Sequence, residues 1–196
     1  MNIKDAKNLG QLATIFENKF SEKECLSVDG KSLNFIEFSN QITSYAKKFK
    51  ALGLKKGDKI GILLFNSIEY LTIMYAAMYA GIVPVNINAR YKAKELHYVM
   101  HDSGSKILFT SSDSDEVTNF SNLISSVYDS PEGKPESLSD VYIIGGSNDG
   151  RFKDFKDFEN IKVDNETHES PIGEGSDPAF IMYTSGTTAN PKGCPL

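Results

Sequence analysis

Between Lys31 and Thr110 the apolar residues switch back and forth between two periods with little slack. That alternation constrains the fold more than any other feature of the chain. Phe35, Phe38, Ile42, Tyr45, Ala46, Phe49 and Leu52 recur every three or four residues and lay one apolar stripe along a helix. Asn34 and Glu37 form an N-cap with its capping-box partner. Lys47, Lys48 and Lys50 fall in the last turn, where the helix dipole favours cations, and Gly53 suits a left-handed stop. Ile60–Phe65 is short, continuous and apolar, as a strand buried on both faces reads. Asn66 and Glu69 repeat the cap pattern ahead of a helix through Leu71, Met74, Tyr75 and Met78 that stops at Gly81. Val83–Val85 is the next strand, with Pro84 favouring an edge or a strand end. Lys92 to Ser103 carries Leu96, Val99 and Met100 on one face before Gly104, and Lys106–Thr110 is a further strand. Turns this short imply parallel pairing through right-handed crossovers. The expected fold class is therefore α/β, a layered, largely parallel, doubly wound sheet with flanking helices.

Beyond Ser111 the periodic signal fades, and residues 111–177 read as a loop-rich connection. Asp129–Asp140 is a polar Pro/Gly/Ser loop and Val141–Ile144 is one more strand. Gly145–Asp177 is acidic and polar, with a short helix expected around Phe155, Phe158 and Ile161. At roughly 150 residues per domain, 196 residues make one domain or one and a half. The net charge of −5 argues against a nucleic-acid backbone as partner, which wants a basic face. Two cysteines, Cys25 and Cys194, are too few for a disulfide framework. The first residues carry charge where a secretory signal would be apolar, so a cytoplasmic protein with reduced thiols is expected. Tyr70 to Ala89 runs twenty residues without a charge, yet Gly81, Pro84, Asn86 and Asn88 interrupt it, and a helix followed by a short strand fits better than a membrane span. His97 and His101 lie four apart on one helix, but Tyr98 stands where a zinc protease needs glutamate, so solvated histidines and no metal site are expected. Tyr70, Tyr75 and Tyr79 are expected to pack their helix on the sheet.

Order returns at Ala179–Tyr183, an apolar strand that feeds Tyr183-Thr-Ser-Gly-Thr-Thr-Ala-Asn-Pro-Lys-Gly193. Residues 179–193 are thus expected to form a strand and a phosphate-binding loop. Gly186 lets the backbone approach an anion closely, and successive N–H groups can converge on its oxygens. The hydroxyls of Thr184, Ser185, Thr187 and Thr188 add donors, and Lys192 supplies a compact positive charge. Ligands of open α/β sheets bind beyond the carboxyl ends of the strands, where this loop would emerge. The pattern is not a Walker A loop. Pro191 stands where the second glycine belongs, and Gly193 rather than Ser or Thr follows Lys192. No G-x-G-x-x-G dinucleotide fingerprint occurs.

Tyr183–Gly193 resembles the signature loop Y-T-S-G-T-T-G-x-P-K-G of the adenylate-forming enzymes, the superfamily of acyl-CoA synthetases, firefly-type luciferases and peptide-synthetase adenylation domains. ALGLKKGDKIGILLFNS, AAMYAGIVPVNINARY and ELHYVMHDSGSKILFT, within Phe35–Thr110, are similar in order and spacing to that family's N-terminal region. The resemblance implies an ATP- and magnesium-dependent ligase. Such an enzyme activates a small-molecule carboxylate as an acyl-adenylate, releases pyrophosphate and passes the acyl group to a thiol, most often coenzyme A. Thr184, Ser185, Gly186, Thr187, Thr188 and Lys192 would be its contacts to the β- and γ-phosphates. Ala189 stands where the family has glycine, which costs about 1 kcal/mol if that position needs φ > 0. In the family the adenine contacts, the acyl pocket and the catalytic lysine of the C-terminal domain come after this loop, whereas Leu196 lies three residues past it. Residues 1–196 are therefore expected to be an incomplete N-terminal portion of an AMP-binding domain, inactive alone, with no complete catalytic set and with exposed edges that invite self-association. The rival readings are a non-catalytic α/β domain that binds a nucleotide or phosphate, and a kinase or NTPase. The second lacks a carboxylate at a strand end for magnesium.

Overall fold

The computed structural model describes residues 4, 6–112, 119–163, 173–184 and 190–196. They divide into two compact units.

The first unit comprises Met1–Asp58, Asn66–Val83 and Ile161–Ala179. It holds helix α1 (Gln11–Phe20), strands β1 (Glu24–Val28) and β2 (Lys31–Asn34), helix α2 (Phe35–Ala51) and, after β3 (Lys59–Leu63) of the second unit, helix α3 (Ile68–Tyr79). The hairpin β1/β2 turns on Asp29 and Gly30, whose φ of 49° and 77° are the left-handed pair a two-residue turn requires. The start of α2 is the expected capping box. The Asn34 side chain accepts from Glu37 N at 2.8 Å, and the Glu37 carboxylate accepts from Asn34 N at 2.9 Å. The stripe Phe38, Ile42, Tyr45, Ala46 and Phe49 is buried as its period requires.

Two details differ from the sequence-based expectation. The cap of α3 is Ser67, not Asn66. The backbone at Ser67 is extended and its hydroxyl accepts from Tyr70 N at 3.0 Å, so the helix starts one residue later. Tyr75 packs edge to face on Phe38 of α2, with ring centroids 5.6 Å apart, in a helix–helix contact. Gly10 sits against the end of α3, where a Cβ would lie 2.2 Å from Tyr79 N, so no larger residue fits without moving backbone.

The second unit comprises Lys59–Phe65, Pro84–Asn160 and Phe180–Leu196. Besides β3 it contains β4 (Val83–Asn86) from its second residue on, helix α4 (Ala93–Ser103), β5 (Ile107–Ser111), helix α5 (Phe120–Tyr128), β6 (Asp140–Ile144), β7 (Lys153–Asp154), helix α6 (Phe155–Glu159), β8 (Ile181–Thr184) and β9 (Lys192–Pro195). Among the described residues, seven strands form one sheet in the order β7-β6-β5-β3-β4-β8-β9. The β3/β5, β5/β6, β6/β7 and β4/β8 pairs are parallel, and β8/β9 is antiparallel. Alternate residues serve opposite faces. Leu108, Val141 and Ile143 share a core with Leu96, Val99 and Met100 of α4 and with Phe120, Ile124 and Val127 of α5. Phe109 and Tyr142 turn the other way, onto Phe158 of α6, with ring centroids 5.1 and 5.7 Å from it. A mostly parallel sheet with helices on both faces is the expected fold class.

The loop-rich reading of 111–177 overlooked α5, nine residues whose apolar positions 120, 123, 124 and 127 follow the helical period. Pro84 is also not at an edge, because β4 lies between β3 and β8. Val83 N donates to Asp58 O and Ile87 N to Ile62 O, on the β3 side. Residue 84 faces the other neighbour, where pairing with β8 begins only at Val85, so its missing N–H leaves no gap in the ladder. No helix among the described residues is long and apolar enough to cross a membrane.

Candidate functional site

The strand order reverses at β3: the chain passes from β3 to β4 on one side, then returns to β5 on the other. Crevices at such a reversal, beyond the carboxyl ends of parallel strands, are where open α/β sheets bind ligands. β8 runs parallel to β4, with Val85 opposite Ile181 and Asn86 opposite Met182, so its carboxyl end points to that same edge. There the chain leaves Thr184, and it returns antiparallel in β9 with Lys192 opposite Thr184 and Gly193 opposite Tyr183. Seven residues, 185–191, join the two.

The register fixes what the ends of this loop can do. Directly opposed residues in an antiparallel pair share a face, so the Thr184 hydroxyl and the Lys192 ammonium stand on the same side of the hairpin base. Both residues are exposed. A hydroxyl donor and a compact cation side by side at a strand's carboxyl end suit an anion with several oxygens. The other predicted contacts, Ser185, Gly186, Thr187 and Thr188, lie outside the described residues, as does Ala189.

The opposite face of the hairpin packs inward. Ile181 and Tyr183 lie against the core that includes α4, while Met182 is 47% exposed. The Tyr183 phenol donates to Asp102 Oδ2 at 2.6 Å, and Tyr98 donates to Asp102 Oδ1 at 3.3 Å. The Tyr91 hydroxyl donates to the carbonyl of Tyr183 at 3.3 Å. Burial, and next the bond to the Asp102 carboxylate, push the Tyr183 phenol far above the usual tyrosine range, so it remains a donor at any physiological pH. Gly193 lies directly beneath this ring: a Cβ there would lie 3.0 Å from Tyr183 Cζ and 3.2 Å from its Oη, tight enough that the ring would have to give. Asp102, Tyr98 and Tyr91 are absent from the sequence-based site. Their one local signal is the i, i+4 spacing of Tyr98 and Asp102. His97 and His101 stack with ring centroids 6.2 Å apart, and among the described residues no three His, Cys, Asp or Glu side chains are placed to hold a metal ion.

Comparison with known proteins shows the family and the fold, not the roles of these residues. A sequence profile of the AMP-binding enzyme family matches residues 15–196. The long-chain-fatty-acid–CoA ligase FadD13 of Mycobacterium tuberculosis is 33% identical over 147 residues, covering 73% of this chain and 25% of that protein. The acyl-CoA ligase sidI of Aspergillus fumigatus is 25% identical over 199 residues, covering 96% of this chain and 33% of its own. The crystal structure of the anthranilate CoA ligase AuaEII in complex with anthranoyl-AMP superposes with a TM-score of 0.84 at 24% identity, over 100% of this chain and 36% of that one, so the two share a fold. This chain therefore spans a quarter to a third of the length of the curated relatives just described. By its sequence from residue 15 onward, the chain belongs to the AMP-binding enzyme family.

Proposed function

We propose that residues 1–196 form the N-terminal, incomplete part of the AMP-binding domain of a cytoplasmic, ATP-dependent acid–thiol ligase of the acyl-CoA synthetase kind. In the first step an oxygen of the substrate carboxylate attacks the α-phosphorus of ATP. The α–β anhydride bond breaks and pyrophosphate leaves with the bonding pair. In the second step a thiol, with coenzyme A the leading choice, gives up its proton and attacks the acyl carbonyl, and AMP departs.

The observation that carries this reading is the register setting Lys192 opposite Thr184 at the mouth of the signature loop. Charge grows on the β- and γ-phosphates as pyrophosphate leaves, and a fixed ammonium with hydroxyl and N–H donors lowers the energy of that state most. Thr184, Ser185, Gly186, Thr187, Thr188 and Lys192 are the contacts assigned to it. Magnesium, bound with the nucleotide phosphates, would neutralise part of their charge. Residues 1–196 alone are assigned no turnover, because the loop grips only one end of one substrate. The exposed strand β9 gives the isolated chain an edge through which copies can associate.

The test is carboxylate-dependent exchange of labelled pyrophosphate into ATP by the full-length protein. Wild type is expected to exchange with an aliphatic or aromatic acid, and Lys192→Ala to slow exchange roughly a hundredfold or more, the size of one lost transition-state donor. Exchange without any acid, or at an unchanged rate in Lys192→Ala, would sink the reading.

A further inference from the structure

Asp102 stands where a carboxylate is out of place. It occupies the last turn of α4, the helix end at which unpaired carbonyls already concentrate partial negative charge. It is an exposed residue, so burial does not explain it. What it does have is two phenols: Tyr183 at 2.6 Å on Oδ2 and Tyr98 at 3.3 Å on Oδ1. The first is a short, charge-assisted bond of the strong class.

Tyr183 in turn touches both stems of the loop. Its own carbonyl, the last before Thr184, is held by Tyr91 at 3.3 Å. Its ring covers Gly193, the residue after Lys192, so closely that a Cβ there would lie 3.0 Å from Tyr183 Cζ and press on the ring. Thr184 and Lys192 are thus each one residue from a point fixed by Tyr183, and Tyr183 is fixed by Asp102. Alternation along the strands turns Tyr183 and Gly193 to one face and Thr184 and Lys192 to the other. Asp102 therefore does not reach whatever the hydroxyl and ammonium hold.

We propose that Asp102 is a positioning residue for the anion loop: through the Tyr183 phenol it anchors both stems to α4 and so sets where Thr184 and Lys192 meet a polyphosphate. This rests on the reading of the loop as a phosphate grip, and it deepens that reading by naming what holds the grip in place. The carboxylate is the element that a neutral residue cannot replace in full.

The experiment compares wild type with Asp102→Ala, Asp102→Asn, Tyr183→Phe and the Asp102→Ala/Tyr183→Phe double variant in the full-length protein. Two readouts are used: KM and kcat of pyrophosphate exchange for ATP and for the acid, and amide hydrogen exchange of the peptides covering 180–184 and 190–196. Asp102→Ala and Tyr183→Phe are each expected to raise KM for ATP about tenfold or more, as one lost hydrogen bond to a charged group predicts, with KM for the acid unchanged. The double variant is expected to be no worse than either single one, because both remove the same bond. Asp102→Asn keeps an acceptor oxygen without the charge and should recover part of the loss. Both singles should also speed amide exchange in 180–184 and 190–196 and leave residues 35–51 of α2 as in wild type.

Additive effects of the two single substitutions, or a wild-type KM for ATP in Asp102→Ala, would overturn the proposal. So would Asp102→Asn raising the melting temperature with the hairpin peptides unaffected, the behaviour of a solvated acid at the wrong helix end. A wild-type protein with no exchange activity would sink the functional reading instead, and the amide-exchange comparison would still decide for or against the Asp102 anchor.

Discussion

At the scale of single residues, charge is used in two ways in the second unit. Lys192 is left exposed beside Thr184, where a ligand can reach it. Arg151 is instead held by two carboxylates. Its Nε and Nη2 donate to Asp149 at 3.0 and 2.7 Å, its Nη1 donates to Asp129 at 2.6 Å, and its guanidinium lies 5.5 Å from the Tyr128 ring centroid. Hydrogen bonds from the Arg151 side chain, and next from its backbone, hold the Asp149 carboxyl at about 2, below its ordinary 3.8. A depressed carboxylate adds stability above its unfolded value, and that contribution is lost as pH falls through the folded one. Asp149→Asn is therefore expected to lower the melting temperature at neutral pH and to match wild type by about pH 2. Thermal unfolding across that range checks it, and a gap between the two proteins that stays constant with pH would refute it.

At the scale of elements, what could be read from the sequence depended on how local the stabilising contacts are. Helix α2 has its cap, its stripe and its glycine stop within twenty consecutive residues, and all three stand where expected. Helices α5 and α6 have only nine and five residues, too few to hold themselves, so their existence depends on what they pack against. Phe158 shows the dependence: it is fully buried, with Phe109, Tyr142 and Phe155 ring centroids within 5.1–5.7 Å. Phe158→Ala is expected to cost about 3–5 kcal/mol, against near zero for an exposed loop residue. Denaturant titration would show it as a lower midpoint at an unchanged slope. The hairpin β1/β2 was legible in principle, since Asp29-Gly30 is a strong two-residue turn signal. The site was half legible. Thr184 and Lys192 announce themselves in an eleven-residue motif, but Asp102 lies 81 residues from Tyr183, and no local period connects them.

At the scale of the whole molecule, the sheet ends in two unlike edges. β7 is two residues long, whereas β9 presents four exposed residues, with Leu196 beyond it 59% exposed. Short edges are protected and longer open ones pair with other chains. The isolated 196-residue chain is expected to sediment as concentration-dependent oligomers in reducing buffer, where Cys194 cannot link copies, and Cys194→Lys to shift it toward monomer. A concentration-independent monomer for wild type would count against association through this edge.

The place of β8 beside β4 has a kinetic meaning. Val85 and Ile181 are neighbours in the sheet although almost half the chain separates them, while β3, β5 and β6 find one another across shorter spans. Pairing across so long a loop is entropically delayed, so the strand carrying the loop is the natural latecomer of assembly. A nascent or damaged copy whose central strands have not closed has nowhere to seat that strand, and hence does not bring Thr184 and Lys192 side by side.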